Sequence, residues 1–121
     1  MTTQEVADTL VRLCSAGKLD EAMKTLYSPD IVSMEAGAPP GQSRESKGLS
    51  AALAKGEWWA ANHEVHSAVV EGPLVAGSHF TVVFKFDVTF KPQNNRFNME
   101  EVAVYKVAAG KIVYEEFFYA M

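Results

Sequence analysis

The chain has 121 residues, of which 48% are hydrophobic, and this is enough for one domain with its own core. Its net charge of −4 comes from scattered acidic and basic residues with no basic run, which excludes the usual nucleic-acid-binding surface. The single cysteine, Cys14, rules out an internal disulfide and a cysteine-rich metal site. With no signal-peptide pattern and no apolar run near the roughly 20 residues of a membrane span, we expect a cytoplasmic protein without a membrane partner.

Two helices are predicted at the N-terminus. The first runs from Thr2 to about Ala16 and stops at Gly17, and its apolar stripe consists of Val6, Leu10, Leu13 and Cys14. The stripe makes Cys14 a packing residue. The second helix starts near Leu19 and ends before Pro29, because proline cannot continue a helix.

A short strand and a third helix follow. Residues 30–35 are predicted to form the strand, and residues 36–42, rich in glycine and proline, a surface loop. The third helix runs from about 46 to 62 and carries Trp58 and Trp59 near its end. Adjacent helical positions point about 100° apart, so we expect one tryptophan inside and the other at a pocket mouth or an interface.

From residue 63 onward the apolar period is two, which predicts four strands. The strand over 80–90 alternates without a miss, and its apolar row consists of Phe80, Val82, Phe84, Phe86, Val88 and Phe90. Strands are also predicted over 64–71, 99–107 and, after a two-residue turn at Ala109-Gly110, up to residue 119. A strand of eleven residues must bend, so the aromatic row can line a core or a pocket.

The last hairpin leaves two alternatives for the pocket-facing row. A simple two-residue turn pairs Tyr105 with Tyr114 and puts Glu115 in one row with Glu100, Val102, Val104, Val113, Phe117 and Tyr119. A shift of one residue flips every side chain. In that alternative the pocket-facing acids are Glu101 and Glu116 instead of Glu100 and Glu115. Tyr105, Tyr114 and Phe118 then face the pocket with them.

The order helix, helix, strand, helix and four strands resembles the nuclear transport factor 2-like superfamily. Segments 26–32 (LYSPDIV), 102–107 (VAVYKV) and 110–119 (GKIVYEEFFY) are similar to its SnoaL-like members, and the likeness spans residues 1–121 as a single domain. The resemblance implies an α+β cone, in which three N-terminal helices pack in the concave face of a strongly curved, mostly antiparallel sheet. The superfamily contains isomerases, cyclases, dehydratases, epoxide hydrolases and non-enzymatic domains, so the fold alone does not assign a reaction.

Alignment with the ketosteroid isomerases of this superfamily places their general-base aspartate on Glu35. Their two oxyanion-hole donors fall near Leu10 and Val102, which cannot donate hydrogen bonds. Because this electrostatic stabilisation is a large part of catalysis, a steroid isomerase is disfavoured. The arginine between two aspartates of the limonene epoxide hydrolases has no match either.

The candidate catalytic residues are Glu35, Glu115 and His66. The predicted substrate-binding residues are Met34, Trp59, Phe84, Phe86, Val102, Phe117 and Tyr119. Each of the three candidate catalytic residues also has a purely structural interpretation. Glu35 can be a solvated carboxylate at a strand end, Glu115 a carboxylate that accepts a hydrogen bond among apolar groups, and His66 a hydrogen-bonded strand residue. His63 and His66 lack a third ligand at metal spacing, so neither a metal nor an organic cofactor is expected.

Two functions are compatible with this pattern. The first is an enzyme that isomerises, cyclises or dehydrates a small, largely apolar molecule by proton transfer in the pocket. The second is a non-catalytic module that binds a hydrophobic ligand or a protein. Large apolar residues assigned to the convex sheet face also predict a homodimer; they are Tyr105, Ile112, Tyr114 and Phe118.

Overall fold

The computed structural model describes residues 1–120, which form three α-helices and one six-stranded sheet. The helices are α1 (Thr3–Ser15), α2 (Leu19–Leu26) and α3 (Leu49–Asn62). The strands are β1 (Tyr27–Met34), β2 (Glu45–Lys47), β3 (His63–Ala76), β4 (His79–Phe90), β5 (Asn95–Ala108) and β6 (Lys111–Phe118). No helix within residues 1–120 is long and apolar enough to cross a membrane.

The sheet order is β2-β1-β6-β5-β4-β3. Only β1 and β6 pair in parallel, and the other neighbours are antiparallel. The helices cover one face of this sheet, which confirms the predicted α+β cone. The predicted element order is also confirmed, with β2 as an addition at the edge, where residues assigned to the start of the third helix are extended.

Local sequence signals explain how the helices begin. The Thr2 hydroxyl accepts a hydrogen bond from the Glu5 amide at 3.1 Å, and the Glu5 carboxylate accepts one from the Thr2 amide at 3.0 Å, which is a capping box. Helix α3 begins after Gly48, whose φ of 92° favours glycine. The chain can therefore leave β2 and enter α3 within one residue.

The core lies between α1, α2 and the concave face of the sheet. Val6 and Leu10 of α1 are fully buried, as is Ile112 of β6. The alternation predicted for 80–90 is confirmed, since Phe80, Val82 and Val88 are buried while the intervening Lys85 is exposed. The aromatic row thus faces the helices.

The register of the last hairpin differs from both simple alternatives. Val107 pairs with Ile112 as predicted, but Lys106 pairs with Tyr114, so Val113 is an extra residue in a β-bulge. Beyond the bulge, Tyr105 pairs with Glu115. The concave row therefore combines Glu101, Ala103 and Tyr105 with Glu115, Phe117 and Tyr119, and the convex positions predicted for Tyr105 and Ile112 were wrong.

Candidate functional site

A cavity of about 1210 Å³ lies between α2, α3 and the concave face of the sheet. Residues 37–39 and 42–44 of the loop after β1 contribute to its wall. Most of the remaining wall is apolar and includes Met23, Leu53, Trp59, Phe84, Phe86, Phe90, Met99 and Phe117. An apolar hollow of this size with a few polar groups is the usual form of a small-molecule site.

Glu115 lies at the bottom of this cavity, where only 2% of its surface is exposed. The parallel pairing of β1 and β6 places Ser33 opposite it, and the Ser33 hydroxyl donates to Glu115 Oε1 at 2.8 Å. The Tyr27 phenol donates to Glu115 Oε2. Both oxygens of this buried carboxyl therefore have a protein donor, as buried polar groups require.

Lys55 connects this buried acid to a second one. Its ammonium group donates to Ser33 Oγ at 2.5 Å and forms an ion pair with Glu35 Oε1 at 2.6 Å. The Tyr119 phenol donates to Glu35 Oε2 at 2.9 Å. A continuous polar chain results, and it consists of Tyr119, Glu35, Lys55, Ser33, Glu115 and Tyr27.

The charges in the polar chain are only partly screened by water. The side chains of Lys55 and Glu35 are 29% and 26% exposed, and the ammonium group lies 5.3 Å from the centre of the Phe117 ring. This distance permits a cation–π contact.

Glu101 also lines the cavity but lies outside the polar chain. It lines the wall beside Phe84, its partner on β4, and it has no hydrogen bond or ion pair with any other side chain of residues 1–120. Burial raises the pKa of its carboxyl from 4.5 to about 7, and the negative charges of Glu35 and Glu115 add to the effect, while Lys55 opposes it. Glu101 can therefore gain or lose a proton near neutral pH.

Burial also raises the pKa of Glu115, although the hydrogen bonds from Tyr27 and Ser33 and the charge of Lys55 oppose the rise. The pKa values of the Tyr27 and Tyr105 phenols are raised by burial first and then by the charge of Glu115. Both phenols consequently stay protonated, and Tyr27 acts as a donor.

The opposite end of the cavity is aromatic. The Trp59 ring stacks on the His63 ring with a centroid distance of 4.3 Å and an interplanar angle of 12°, and it lies 5.5 Å from Phe86. Trp58 is 58% exposed, so the two neighbouring tryptophans divide as expected between the inside and the surface. His63 and Trp59 both contribute to the cavity wall.

Seven of the predicted site residues line the cavity: Glu35, Trp59, Phe84, Phe86, Glu115, Phe117 and Tyr119. The structure places Met34, Val102 and His66 elsewhere. Met34 alternates with the buried Ser33, and Val102 lies in the row opposite Glu101. His66 is the extra residue of a bulge between the pairs Val65–Val88 and Ser67–Asp87, is exposed, and contacts the Thr89 hydroxyl at 2.7 Å.

The sequence analysis did not identify three members of the polar chain, Tyr27, Ser33 and Lys55, although their spacing along the chain indicates that they share a face with predicted site residues. Ser33 and Tyr27 stand at even distances from Glu35, as residues of one strand face do. Lys55 stands four residues before Trp59, on the same side of α3. Glu101 was identified only as one of two register alternatives, and the bulge at Val113 places it and Glu115 together.

Residues 1–120 contain no cluster of three or more histidine, cysteine, aspartate or glutamate side chains placed to hold a metal ion. Cys14, which is free, is half-buried in the cavity wall. Burial, followed by the charge of Glu115, raises the pKa of its thiol to about 12. This cysteine is therefore a protonated packing group rather than a thiolate.

Comparison with solved structures gives a close relative. A candidate SnoaL-like polyketide cyclase [carbohydrate phosphatase] from Mesorhizobium loti matches with a TM-score of 0.92 and 42% sequence identity, covering 98% of this chain and 100% of that one. A candidate isomerase from Bacillus subtilis matches with a TM-score of 0.77 and 20% identity, over 99% of this chain and 90% of that one.

A protein of unknown function with a cystatin-like fold from Xanthomonas campestris matches with a TM-score of 0.76 and 17% identity, over 100% of this chain and 92% of that one. The two matches at 20% identity or less show the fold alone. No curated protein matches significantly. The family model described as SnoaL-like domain matches residues 1–119, and the chain therefore belongs to the SnoaL-like domain family.

Proposed function

We propose that the protein is an enzyme that transfers a proton to or from a small, largely apolar molecule in the cavity, and so isomerises, cyclises or dehydrates it. The observation that carries the proposal is Glu101, an unpartnered acid with a pKa of about 7 in an apolar wall. A general acid or base works best when its pKa is near the working pH. A cavity that only binds a ligand has no need of such an acid.

Glu101 is the group proposed to exchange the proton. As a carboxylate it accepts a proton from a carbon or oxygen of the substrate, and as a neutral acid it returns one. The sequence alignment placed the apolar Val102 at the late-strand acid of the ketosteroid isomerases, whereas the neighbouring Glu101 is an acid on the concave side of the sheet. Its raised pKa follows mainly from burial.

Lys55 is the group proposed to stabilise negative charge that develops on the substrate. An ammonium group has three N–H donors. Glu35 and Ser33 use two of those of Lys55, which leaves one for a substrate oxygen. A fixed positive charge in an apolar cavity stabilises an enolate or alkoxide more strongly than water does.

Glu35 and Glu115 are proposed to position Lys55 and raise the pKa of Glu101, rather than to exchange the proton themselves. Glu35 has one oxygen on Lys55 and the other on Tyr119. Glu115 has both oxygens occupied by hydroxyl donors and is almost fully buried. Neither acid offers a substrate an unoccupied oxygen as readily as Glu101.

A probe reaction tests this function without knowledge of the substrate. A base that removes the C3 proton of 5-nitrobenzisoxazole breaks the N–O bond and gives a coloured cyanophenolate, so the rate reports a carboxylate base in an apolar cavity. We expect the rate to rise with pH to a plateau with a midpoint near 7, because only the ionised form of Glu101 is a base. Glu101→Gln should lower the rate by about 10²-fold, the lower range for general-base catalysis.

Glu100→Gln is the matched control. Glu100 is the preceding residue, its side chain is 72% exposed, and it lies 3.7 Å from Lys85 on the other face of the sheet. We expect this variant to keep the wild-type rate and pH profile. A wild-type rate no faster than buffer, or an equal rate for Glu101→Gln, would refute the proposal.

Non-catalytic ligand binding is the second candidate function. It is favoured by the hydrocarbon that forms most of the cavity wall and by the complete set of partners around Glu35 and Glu115. It requires the same cavity but no turnover. Binding of an apolar ligand together with a probe rate at the buffer level would select it.

We further propose that the protein forms a homodimer through the convex face of the sheet, as the sequence analysis predicted. Val69, Val102 and Phe118 are 51%, 39% and 48% exposed on this face. Lys85 and Glu100, which carry opposite charges, lie beside them and would complement a second copy. Sedimentation velocity should show a dimer that Phe118→Lys dissociates, and a wild-type monomer at micromolar concentration would contradict this.

A further inference from the structure

His63, at the aromatic end of the cavity, has no role in the chemistry proposed above. It pairs with Phe90 at the end of β4. Phe90 is six residues along β4 from Phe84, the partner of Glu101, which is about 20 Å of strand at the usual rise. Its ring stacks on Trp59 at 4.3 Å and lies 5.2 Å from Phe90 and 6.3 Å from Trp58. Three aromatic neighbours therefore fix the orientation of this imidazole.

The helix end fixes which ring nitrogen carries the proton. His63 Nδ1 lies 2.8 Å from the backbone carbonyl oxygen of Trp59. That carbonyl belongs to the last turn of α3, where carbonyl groups have no partner within the helix. A carbonyl oxygen only accepts hydrogen bonds, so Nδ1 must be the donor.

The other nitrogen, Nε2, is then an acceptor in the neutral ring. It has no hydrogen-bond partner among residues 1–120, and no buried side-chain nitrogen or oxygen of these residues lacks a partner, so Nε2 is accessible. His63 itself belongs to the cavity wall. The residue that carries this acceptor thus lies in the wall at the end of the cavity opposite Glu101 and Lys55.

We propose that His63 is a specificity-determining residue whose Nε2 accepts a hydrogen bond from a hydroxyl or N–H group of the ligand. This inference rests on the proposed function and narrows its substrate class. The substrate is an elongated molecule with an apolar body that packs along Phe84, Phe86 and Trp59. One end carries the group that exchanges a proton with Glu101, and the other carries a hydrogen-bond donor for His63.

Indole and 1-methylindole form a matched pair of probes, because they share an apolar ring and only indole has an N–H donor. Their dissociation constants are measured by NMR titration of the wild type and two variants. His63→Phe keeps an aromatic ring without the acceptor, and His79→Gln, at the exposed start of β4, is the control. We expect the wild type and His79→Gln to bind indole about five- to tenfold more tightly than 1-methylindole, the usual effect of one net hydrogen bond. His63→Phe should bind both probes equally.

The ¹⁵N resonances of the His63 ring provide a readout that does not depend on a variant. In the neutral wild-type ring, Nδ1 should be the protonated nitrogen, and indole but not 1-methylindole should shift Nε2. A protonated Nε2 with a bare Nδ1, or the same preference for indole in His63→Phe, would overturn the inference. The role of Glu101 would survive that result, because the 5-nitrobenzisoxazole rate tests it separately. If neither indole nor 1-methylindole bound in the cavity, the inference about His63 would also be overturned, and the 5-nitrobenzisoxazole rate would still decide the role of Glu101.

Discussion

Tyr27→Phe removes one of the two hydroxyl donors of the buried Glu115 carboxyl and keeps the ring that packs in the core. Tyr27 is 4% exposed and Glu115 is 2% exposed, so water cannot replace the lost donor without a rearrangement. A buried polar atom left without a partner costs about 1–3 kcal/mol. We expect the free energy of unfolding to fall by this amount at pH 8.

The loss should depend on pH. The pKa of Glu115 in the folded protein is already raised by burial, and the Tyr27 hydrogen bond opposes that rise. Without this bond the folded pKa rises further. A raised folded pKa means that the ionised carboxyl is less stable in the folded protein than in the unfolded chain. The resulting penalty is absent below about pH 4.5, grows between pH 4.5 and the folded pKa, and is constant above the folded pKa. The deficit of Tyr27→Phe should therefore be smaller at pH 4 than at pH 8.

Urea unfolding at the two pH values measures this difference. Tyr114→Phe is the matched control, because the Tyr114 phenol donates to Glu116 Oε1 at 2.7 Å outside the cavity, and it should change stability by less than about 0.5 kcal/mol. In a Glu115→Gln background, the pH dependence of Tyr27→Phe should disappear. A deficit that is unchanged by pH, or that persists with the same pH dependence in that background, would refute the reasoning.

Three further substitutions test other parts of the site by urea unfolding. Glu101→Gln should stabilise the protein by up to about 3 kcal/mol above pH 7 and should have no effect at pH 4, because each pH unit between 4.5 and the folded pKa of about 7 costs the wild type about 1.4 kcal/mol. The same difference in stability between variant and wild type at both pH values would contradict this. Lys55→Met should destabilise the protein by about 1–3 kcal/mol at pH 8, because it leaves Glu35 without its ion-pair partner, and an unchanged midpoint would show that water replaces the ammonium group. Gly56→Ala should stabilise the protein by up to about 1 kcal/mol, because the added methyl group approaches only the flexible Met23 side-chain tip, at 2.9 Å, and a net loss would show that Met23 cannot move.

Much of the fold could be predicted from the sequence because its local signals agree with the tertiary structure. The alternation over 80–90 required one buried face, and the Thr2 and Glu5 pair marked the start of α1. Loop-forming residues marked other boundaries less closely, since β3 (His63–Ala76) continues five residues beyond the strand predicted over 64–71 and β5 (Asn95–Ala108) begins four residues before the strand predicted over 99–107. These signals are local: the preferred backbone geometry and the apolar face of a segment can be read from its own residues.

The site was only partly predictable because its geometry depends on irregularities that local patterns do not encode. The bulge at Val113 moves Tyr105 inward and brings Glu101 into the same row as Glu115. The bulge at His66 takes that histidine out of the predicted row. The contact between Lys55 and Glu35 joins α3 to the end of β1, which no spacing along the chain could specify.

The most direct test of the central claim is the titration of Glu101 itself. ¹³C NMR of the glutamate side-chain carboxyl groups, with the Glu101 signal assigned by its absence in Glu101→Gln, gives the midpoint of its protonation. We expect a midpoint near pH 7. A midpoint near 4.5 would show that the Glu101 carboxyl is in contact with water and would contradict its role as the proton-transfer group.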